Sequence, residues 1–230
     1  MEGLFDAAAG AVRLLLADPT VREIAARTLL VSGLATALCV LLGVPAGYLL
    51  ARRRFFGRTA LVGLANAGMG LPPVLVGLVV WLLLVRSGPL GHFEIVYTKR
   101  AMVLAQLLIG LPVVIGFSTS AFQALAPELH DLLRMIGAGR VRRLLLLARE
   151  AKLGLLAAIM ATFGATISEV GASMMVGGNL QGSTRVLTTA IVTETSRGES
   201  ARALALGAIL LGLALVLNLA LTWIQQRPRS

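Results

Sequence analysis

Long runs without charged residues dominate the hydrophobic pattern of this chain. A helix that crosses about 30 Å of hydrocarbon needs roughly 20 consecutive apolar residues. Four runs reach that length without Asp, Glu, Lys or Arg, and a fifth run is interrupted by Glu169. The predicted spans are about 28–51, 60–85, 101–124, 153–175 and 203–225. The pattern therefore predicts an all-α integral membrane protein with five transmembrane helices in one domain, 28–226.

The amino-acid composition excludes a soluble globular domain, because 57% of the residues are hydrophobic and only 14% are charged. The single cysteine, Cys39, rules out an intrachain disulfide and leaves no Cys/His cluster of the kind that binds a metal. The sequence has neither a phosphate-binding loop nor paired carboxylates on one helix face, so we expect no catalytic residues, metal or cofactor in this chain. The net charge of +10 belongs to segments beside a membrane and does not indicate a nucleic-acid partner.

Positive charge is concentrated in three of the segments that flank the predicted spans. Segments 52–58, 128–152 and 227–230 together hold twelve Lys and Arg against three acidic residues, whereas the rest of the chain holds nine against eight. Because short cytoplasmic segments accumulate Lys and Arg, these three segments are predicted to lie inside. The N-terminus is then outside, and 227–230 is a cytoplasmic tail. Segment 1–27 is expected to lie along the outer interface or to form a loosely ordered tail.

Prolines interrupt two predicted spans near mid-membrane depth. Pro72 and Pro73 lie in the second span and Pro112 lies in the third, within the similar strings G-L-P-P-V and G-L-P-V-V. Each proline removes a backbone hydrogen bond and is expected to kink its helix. Transporters tend to place their path at a pair of broken helices near the midplane, although packing alone also tolerates such prolines.

Glu169 is the acidic residue inside a predicted span. A carboxylate in the membrane costs on the order of 3 kcal/mol and normally faces protein or a water-filled cavity, which favours a position beside the transport path. The alternative is that Glu169 ends the helix at the interface, solvated or paired with Arg185. The glycine-rich segment 171–179 predicts a broken or re-entrant element buried in protein. Segment 181–189 adds hydroxyl groups and Arg185, which together are a candidate polar entrance for an anion.

The longest basic segment, 128–152, has the apolar spacing of a helix over its first nine residues. A Gly-Ala-Gly turn follows at 137–139, and apolar positions resume at 141–147. These features predict a helix, a turn and a second helix between the third and fourth spans. Such an exposed element suits the docking of a soluble partner, while its arginines serve the membrane topology equally well.

Two segments resemble the membrane permeases of type I ATP-binding-cassette importers. Those permeases carry a cytoplasmic E-A-A-x-x-x-G loop that inserts into the ATPase subunit, and here D-L-L-R-M-I-G stands at 131–137. The acid and the glycine match, whereas both alanines are leucines. The strings I-S-E-V-G-A at 167–172, M-M-V-G-G-N at 174–179 and L-T-T-A-I at 187–191 are similar to the tungstate branch of the molybdate and tungstate permeases.

The resemblance implies the type I importer permease fold. It also implies an importer made of two copies of this chain, a dimer of cytoplasmic ABC ATPases and an extracytoplasmic oxyanion-binding protein. ATP and Mg would be bound by the ATPase subunits. The chain would be a multi-pass protein in the lipid of the bacterial inner (cytoplasmic) membrane, with tungstate passing along the homodimer interface by alternating access.

The resemblance and the breaker residues together give two sets of candidate residues. The ATPase-coupling residues would be Glu128, Asp131, Arg134 and Gly137. The residues of the translocation path or gate would be Pro72, Pro112, Ser168, Glu169, Gly171, Gly178, Asn179, Arg185, Thr188 and Thr189.

Other functions fit the same sequence. A molybdate or sulfate permease of this class would share these features, and tungstate and molybdate are dianions of nearly the same size. A stand-alone secondary transporter or channel would use Glu169 as a proton or ion site, and a membrane-bound assembly factor would transport nothing. Coupling to an ATPase through 128–152 separates the importer from the last two.

Overall fold

The computed structural model describes residues 15, 17–53 and 55–226, and within them the regular elements are helices, which confirms the predicted all-α class. In chain order they are α1 Pro19–Arg52, α2 Arg58–Gly68, α3 Pro73–Leu84, α4 Lys99–Gln123, α5 Pro127–Met135, α6 Arg140–Glu150, α7 Lys152–Ile167, α8 Gly171–Gly177, α9 Leu187–Ser196 and α10 Ser200–Gln226. A 3₁₀ turn at Gly91–Phe93 follows α3.

Three to five membrane spans are supported among the described residues. Helices α1, α4 and α10 are each long and apolar enough to cross a membrane alone. The pairs α2–α3 and α7–α8 meet the same criterion only together, and they are bent by 105° and 59° at a short break. The five predicted spans are obtained if each bent pair crosses the membrane once.

The first helix begins earlier than the predicted span at 28–51. Pro19 occupies the first turn, where a missing N–H costs nothing, and the Asp18 side chain accepts a 2.9 Å hydrogen bond from the Thr20 amide. Residues 19–27 of the predicted interfacial segment are therefore continuous with α1. The rest of that segment, apart from residues 15, 17 and 18, lies outside the described residues, as does the predicted tail at 227–230.

Helix α4 lies at the centre of the fold and contacts α1, α2, α3, α7 and α8. Its closest neighbour is α1, which turns Gly43 and Gly47 toward it. A Cβ atom built on Gly43 would lie 2.8 Å from the Cβ atom of Val114, and one built on Gly47 would lie 2.6 Å from that of Ser118. The two helices therefore approach at a distance that only glycine permits, as small-x-x-x-small pairs allow in membranes.

Contacts between helix ends show which ends lie together. A guanidinium nitrogen of Arg52 donates to the Leu125 carbonyl at 3.3 Å, so α1 and α4 run in the same direction and end side by side. The side chain of Gln225 donates to the Leu153 carbonyl at 3.3 Å, which brings the end of α10 to the start of α7. The C-terminal ends of α1, α4 and α10 and the basic segment between α4 and α7 thus share one end of the molecule, called the basic end below.

Replacing Gly47 by alanine should destabilise the fold, because the new Cβ would overlap Ser118 and lie 3.0 Å from the Thr119 amide nitrogen. We expect a loss of about 1–3 kcal/mol, the usual cost of overpacking. The single cysteine, Cys39, is fully buried and reports unfolding through its labelling by a thiol-reactive fluorophore during heating.

Gly33→Ala is the matched control on the same helix, because a Cβ at Gly33 meets nothing within 4 Å. Equal melting midpoints for Gly47→Ala and Gly33→Ala would contradict the described contact between α1 and α4.

Candidate functional site

The second predicted span is divided at its pair of prolines. Helix α2 ends at Gly68, and α3 begins with Pro72 as its N-cap and Pro73 in its first turn. Proline is well suited to the first turn of a helix and cannot continue the preceding one. The predicted kink is therefore a complete break, with a 105° change of direction between the two halves.

Pro112 does not break its helix as Pro72 and Pro73 do, because α4 continues through it from Lys99 to Gln123. Its ring lies against the end of α2, where a Cβ built on Gly68 would be 2.8 Å from the Pro112 Cβ atom. The absence of a side chain at Gly68 lets α2 pack directly on this ring. The structure thus brings Pro112 beside the break that precedes Pro72.

Glu169 lies in the second break, between α7 and α8, and is buried. Its Oε1 atom accepts a 2.8 Å hydrogen bond from the Ala172 amide, and its backbone carbonyl accepts a 3.0 Å hydrogen bond from the Thr188 hydroxyl. The carboxylate therefore satisfies an orphan amide at the start of α8. Ser168, beside it, is exposed and donates to the Gly164 carbonyl at 2.7 Å.

The alternative in which Glu169 pairs with Arg185 is not what the structure contains. The Nε atom of Arg185 donates to the Asn179 side-chain oxygen at 3.2 Å, and Nη2 donates to the Asn179 carbonyl at 3.3 Å. Among the described residues, the ion pairs found do not include Glu169. Glu169 does end a helix, as that alternative held, but it does so inside the protein.

The halves that follow the two breaks pack directly on each other. A Cβ built on Gly171 would overlap a methyl carbon of Val74, and one built on Gly77 would lie 2.6 Å from the Ala172 Cα atom. Helices α3 and α8 are thus in backbone contact immediately after their breaks. A movement at either break is transmitted to the other, because close-packed interfaces of this kind do not deform continuously.

The glycine-rich segment ends α8 at Gly178, which has φ +67°. The ring of Tyr97 covers this glycine, since a Cβ there would lie 2.7 Å from the tyrosine Cδ1 atom. Tyr97 donates its amide to the Val176 carbonyl at 2.8 Å, and its hydroxyl accepts a 3.1 Å hydrogen bond from the Trp81 indole. The predicted buried, broken element is therefore present, and Tyr97 covers its end.

Arg27 is an important residue that the sequence analysis did not single out. Its side chain is only 7% exposed, and its two terminal nitrogens donate to the carbonyls of Arg185 and Gly182 at 2.8 and 3.0 Å. The neighbouring Thr28 hydroxyl accepts a 2.9 Å hydrogen bond from the Leu187 amide. The segment proposed as a polar entrance is thus fixed to the first turns of α1. An arginine close to the start of a long apolar helix was the available signal.

Thr188 and Thr189 lie on α9, a helix that the sequence analysis did not predict. Both are buried, and the Thr189 hydroxyl accepts a 3.1 Å hydrogen bond from the Val186 amide, which caps the start of the helix. Asn179 donates to the Thr193 hydroxyl at 2.7 Å. Thr188 therefore lies beside Glu169, whereas Asn179 lies beside Thr193, further along α9.

The basic end carries the predicted helix, turn and helix as α5 and α6. Gly137 has φ +71°, and its amide donates to the Arg134 carbonyl at 3.0 Å while the Ala138 amide donates to the Leu133 carbonyl at 3.1 Å. This pair of bonds is the Schellman ending, which strongly favours glycine at its left-handed position. The left-handed backbone conformation therefore explains why a glycine ends the D-L-L-R-M-I-G string at 131–137.

One face of this helical pair is buried and the other is not. Leu133 and Leu147 pack with Phe122 and Leu155, at the ends of the spans on either side. On the opposite face Leu132, Met135 and Ile136 are 50%, 78% and 67% exposed. The predicted coupling residues besides Gly137 are exposed too, namely Glu128, Asp131 and Arg134. Val141 and Leu145 of α6 are exposed as well, at 71% and 58%. Exposed apolar side chains bordered by charged ones are typical of a surface that binds another protein.

The described residues contain no group of three or more His, Cys, Asp or Glu side chains that could hold a metal ion. What the described arrangement offers is mechanical: two broken spans in contact, and an exposed helical pair packed on their neighbours.

The family model described as "Binding-protein-dependent transport system inner membrane component" matches residues 43–230. A "Probable anion ABC transporter permease protein" of Haloferax volcanii is 44% identical over 201 residues, which are 85% of this chain and 87% of that protein. The "Tungstate uptake system permease protein TupB" of Peptoclostridium acidaminophilum is 35% identical over 227 residues, 98% of this chain and 100% of that one.

The fold also has a solved counterpart. A chain of the inward-facing MetNI methionine ABC transporter superposes with a TM-score of 0.66 at 17% identity, covering 90% of this chain and 93% of that one. Because the family match extends over most of the chain, this protein belongs to the family of inner membrane components of binding-protein-dependent transport systems and is an ABC transporter permease.

Proposed function

We propose that this chain is the permease subunit of an ATP-driven importer for a tetrahedral oxyanion, with tungstate as the solute. The observation that carries the importer is the exposed apolar face of Leu132, Met135 and Ile136, at the place where the resemblance puts the ATPase-coupling loop. The solute is supported by the full-length relative that is named a tungstate uptake permease. ATP and Mg belong to the ATPase subunits, and this chain supplies the path.

The proposed topology has five spans, with the basic end in the cytoplasm. Arg52, the segment between α4 and α7, and the end of α10 lie together, and short segments rich in Lys and Arg stay inside. The start of α1 is then outside, where the Asp18 carboxylate forms a 3.2 Å ion pair with Arg202 at the start of α10. Segment 182–185, which is hydrogen-bonded to Arg27, would then face the extracytoplasmic binding protein.

Coupling would run from the ATPase through α5 and α6 into the spans. The exposed leucine, methionine and isoleucine would enter the ATPase surface, and Leu133 and Leu147 on the opposite face pack on Phe122 at the end of α4. Closure of the ATPases would thus displace the end of the central helix. Glu128, Asp131 and Arg134 border this face and set its charge.

The gate would be the contact between the two broken spans. Pro72 and Pro112 flank one break, Glu169 and Gly171 form the other, and exposed Ser168 faces the partner copy across the path. Five spans are too few to enclose a path, so two copies of the chain would form it between them. The alternative of a stand-alone transporter using Glu169 is disfavoured by the family match and by the bond between Glu169 and Ala172.

Tungstate-loaded binding protein should accelerate ATP turnover by the reconstituted complex more than molybdate- or sulfate-loaded binding protein does. The measurement is ATP hydrolysis in vesicles, with uptake of the same solute followed in parallel. If molybdate- or sulfate-loaded binding protein accelerates ATP turnover more, that anion and not tungstate is the solute. If none of the three accelerates ATP turnover, the importer proposal is rejected.

Gly137→Val should uncouple the complex, because a β-branched residue at φ +71° is strained and the turn would open. We expect normal membrane insertion with solute-stimulated ATP hydrolysis reduced by about tenfold or more.

Gly139→Ala is the matched control two positions along, since Gly139 has φ −63° and a Cβ there meets nothing within 4 Å. Wild-type stimulation in Gly137→Val, or an equal loss in Gly139→Ala, would remove the assigned role of this turn.

Glu169→Ala should slow uptake, because it leaves the Ala172 amide without its acceptor inside the membrane, at a cost of about 1–3 kcal/mol. Glu169→Gln keeps an acceptor oxygen and should retain most of the uptake. Initial rates of uptake in vesicles distinguish the two. If Gln is as slow as Ala, the charge of Glu169, and not its hydrogen bond, governs the gate.

A further inference from the structure

A cavity of about 350 Å³ at the basic end is lined mainly by arginine side chains. It lies where α1 ends and where α5 meets α6. Its lining residues are Tyr48, Leu49, Arg52, Arg53, Arg134, Arg140 and Arg143. Five guanidinium groups around one cavity repel each other unless an anion lies among them.

The hydrogen bonds of these arginines are incomplete. The Nε atoms of Arg52 and Arg143 are buried and have no hydrogen-bond partner. The ion pairs found between described residues involve Glu23, Glu194 and Asp18, none of which lines the cavity. Burying a donor without a partner costs about 1–3 kcal/mol, and no acceptor within the described residues offsets that cost for these two nitrogens.

The cavity lies at the edge of the membrane. Arg52 is the first charged residue after the apolar run of α1, and it donates to the Leu125 carbonyl just beyond the end of α4. Two spans therefore end at the depth where phospholipid headgroups lie. Guanidinium groups bind phosphate oxygens through parallel N–H donors, which makes a headgroup phosphate a well-matched anion.

An apolar groove of about 460 Å³ adjoins the cavity, and Leu49 lines both. Its walls include Leu61 and Leu64 of α2 and Leu108 and Leu111 of α4. Leu61, Leu64 and Leu108 are 47%, 69% and 42% exposed, so the groove is open to the surroundings of the helices. A basic cavity that shares a wall residue with an apolar groove matches a molecule that has a phosphate at one end and a hydrocarbon chain at the other.

We propose that this pair of cavities is a binding site for one anionic phospholipid, with its phosphate among the arginines and an acyl chain along α2 and α4. The identity of the leaflet, the cytoplasmic one, rests on the proposed function, whereas the site itself does not. Basic pockets between spans are known to hold such headgroups. Because Arg134, Arg140 and Arg143 belong to α5 and α6, the bound lipid links the coupling element to the end of α1.

The test compares the reconstituted complex in vesicles of phosphatidylcholine alone with vesicles containing phosphatidylglycerol. Phosphatidylglycerol should raise the melting midpoint reported by Cys39 labelling, and native mass spectrometry should detect one retained lipid per chain. Arg143→Gln should weaken retention about fivefold, the contribution of one interfacial arginine. Arg142→Gln is the matched control, because its side chain is exposed and does not line the cavity.

Each other outcome overturns the proposal in a defined way. An equal loss in Arg142→Gln means diffuse surface charge, and no phosphatidylglycerol effect in the wild-type complex means no lipid site. An Arg143-dependent rise produced by inorganic phosphate or tungstate in phosphatidylcholine vesicles assigns the cavity to a free oxyanion. A stabilisation that requires the ATPase and not phosphatidylglycerol assigns it to that subunit.

A separate variant tests whether the acyl chain of the lipid lies in the apolar groove. Leu61→Trp fills the groove and should reduce lipid retention while leaving two copies per complex. Loss of the second copy would show that the groove is a contact between chains and would overturn the placement of the acyl chain. None of these results depends on which solute is transported, so a failure here is distinguishable from a failure of the proposed function.

Discussion

The close approach of the central helix α4 to its neighbours is the constraint on which this structure depends. Besides the glycines of α1, Gly110 of α4 faces Thr162 and Cys39, and a Cβ built on it would lie only 2.7 Å and 2.8 Å from their side-chain atoms. In hydrocarbon there is no hydrophobic force between helices, so dense van der Waals packing has to supply their association. Glycine at these positions makes such packing possible and fixes the frame against which the broken spans rest.

The positions of the spans follow directly from the chemistry of the chain. A charge-free stretch of sufficient length has one stable environment, and the helices fall within or extend those stretches, as α1 extends beyond 28–51 to Pro19. The severity of a break does not follow in the same way. Pro72 and Pro73 divide a predicted span whereas α4 continues through Pro112, and Gly68 of α2 packs against that proline ring.

The candidate site was predictable in composition but not in connectivity. A carboxylate within an apolar run and a run of glycines are visible in the sequence, and they led to Glu169 and Gly178. The partners of those residues come from distant positions: Thr188 bonds the Glu169 carbonyl, and Tyr97 covers Gly178. Helix α9 escaped prediction because threonine favours caps and turns over helix interiors, whereas here the Thr189 hydroxyl caps the Val186 amide and the Thr193 hydroxyl donates to the Thr189 carbonyl of the same helix.

Arg27 is joined to segment 182–185 by two hydrogen bonds from one guanidinium, and this has a consequence for movement. Separating them would leave two carbonyls without donors and the buried guanidinium with only Glu23, 3.9 Å away, at a cost of about 1–3 kcal/mol for each unmade bond. We therefore expect the start of α1 and this segment to move together in any rearrangement of the permease. We expect bending instead at the short connections 69–72 and 168–170, where the helices are already broken.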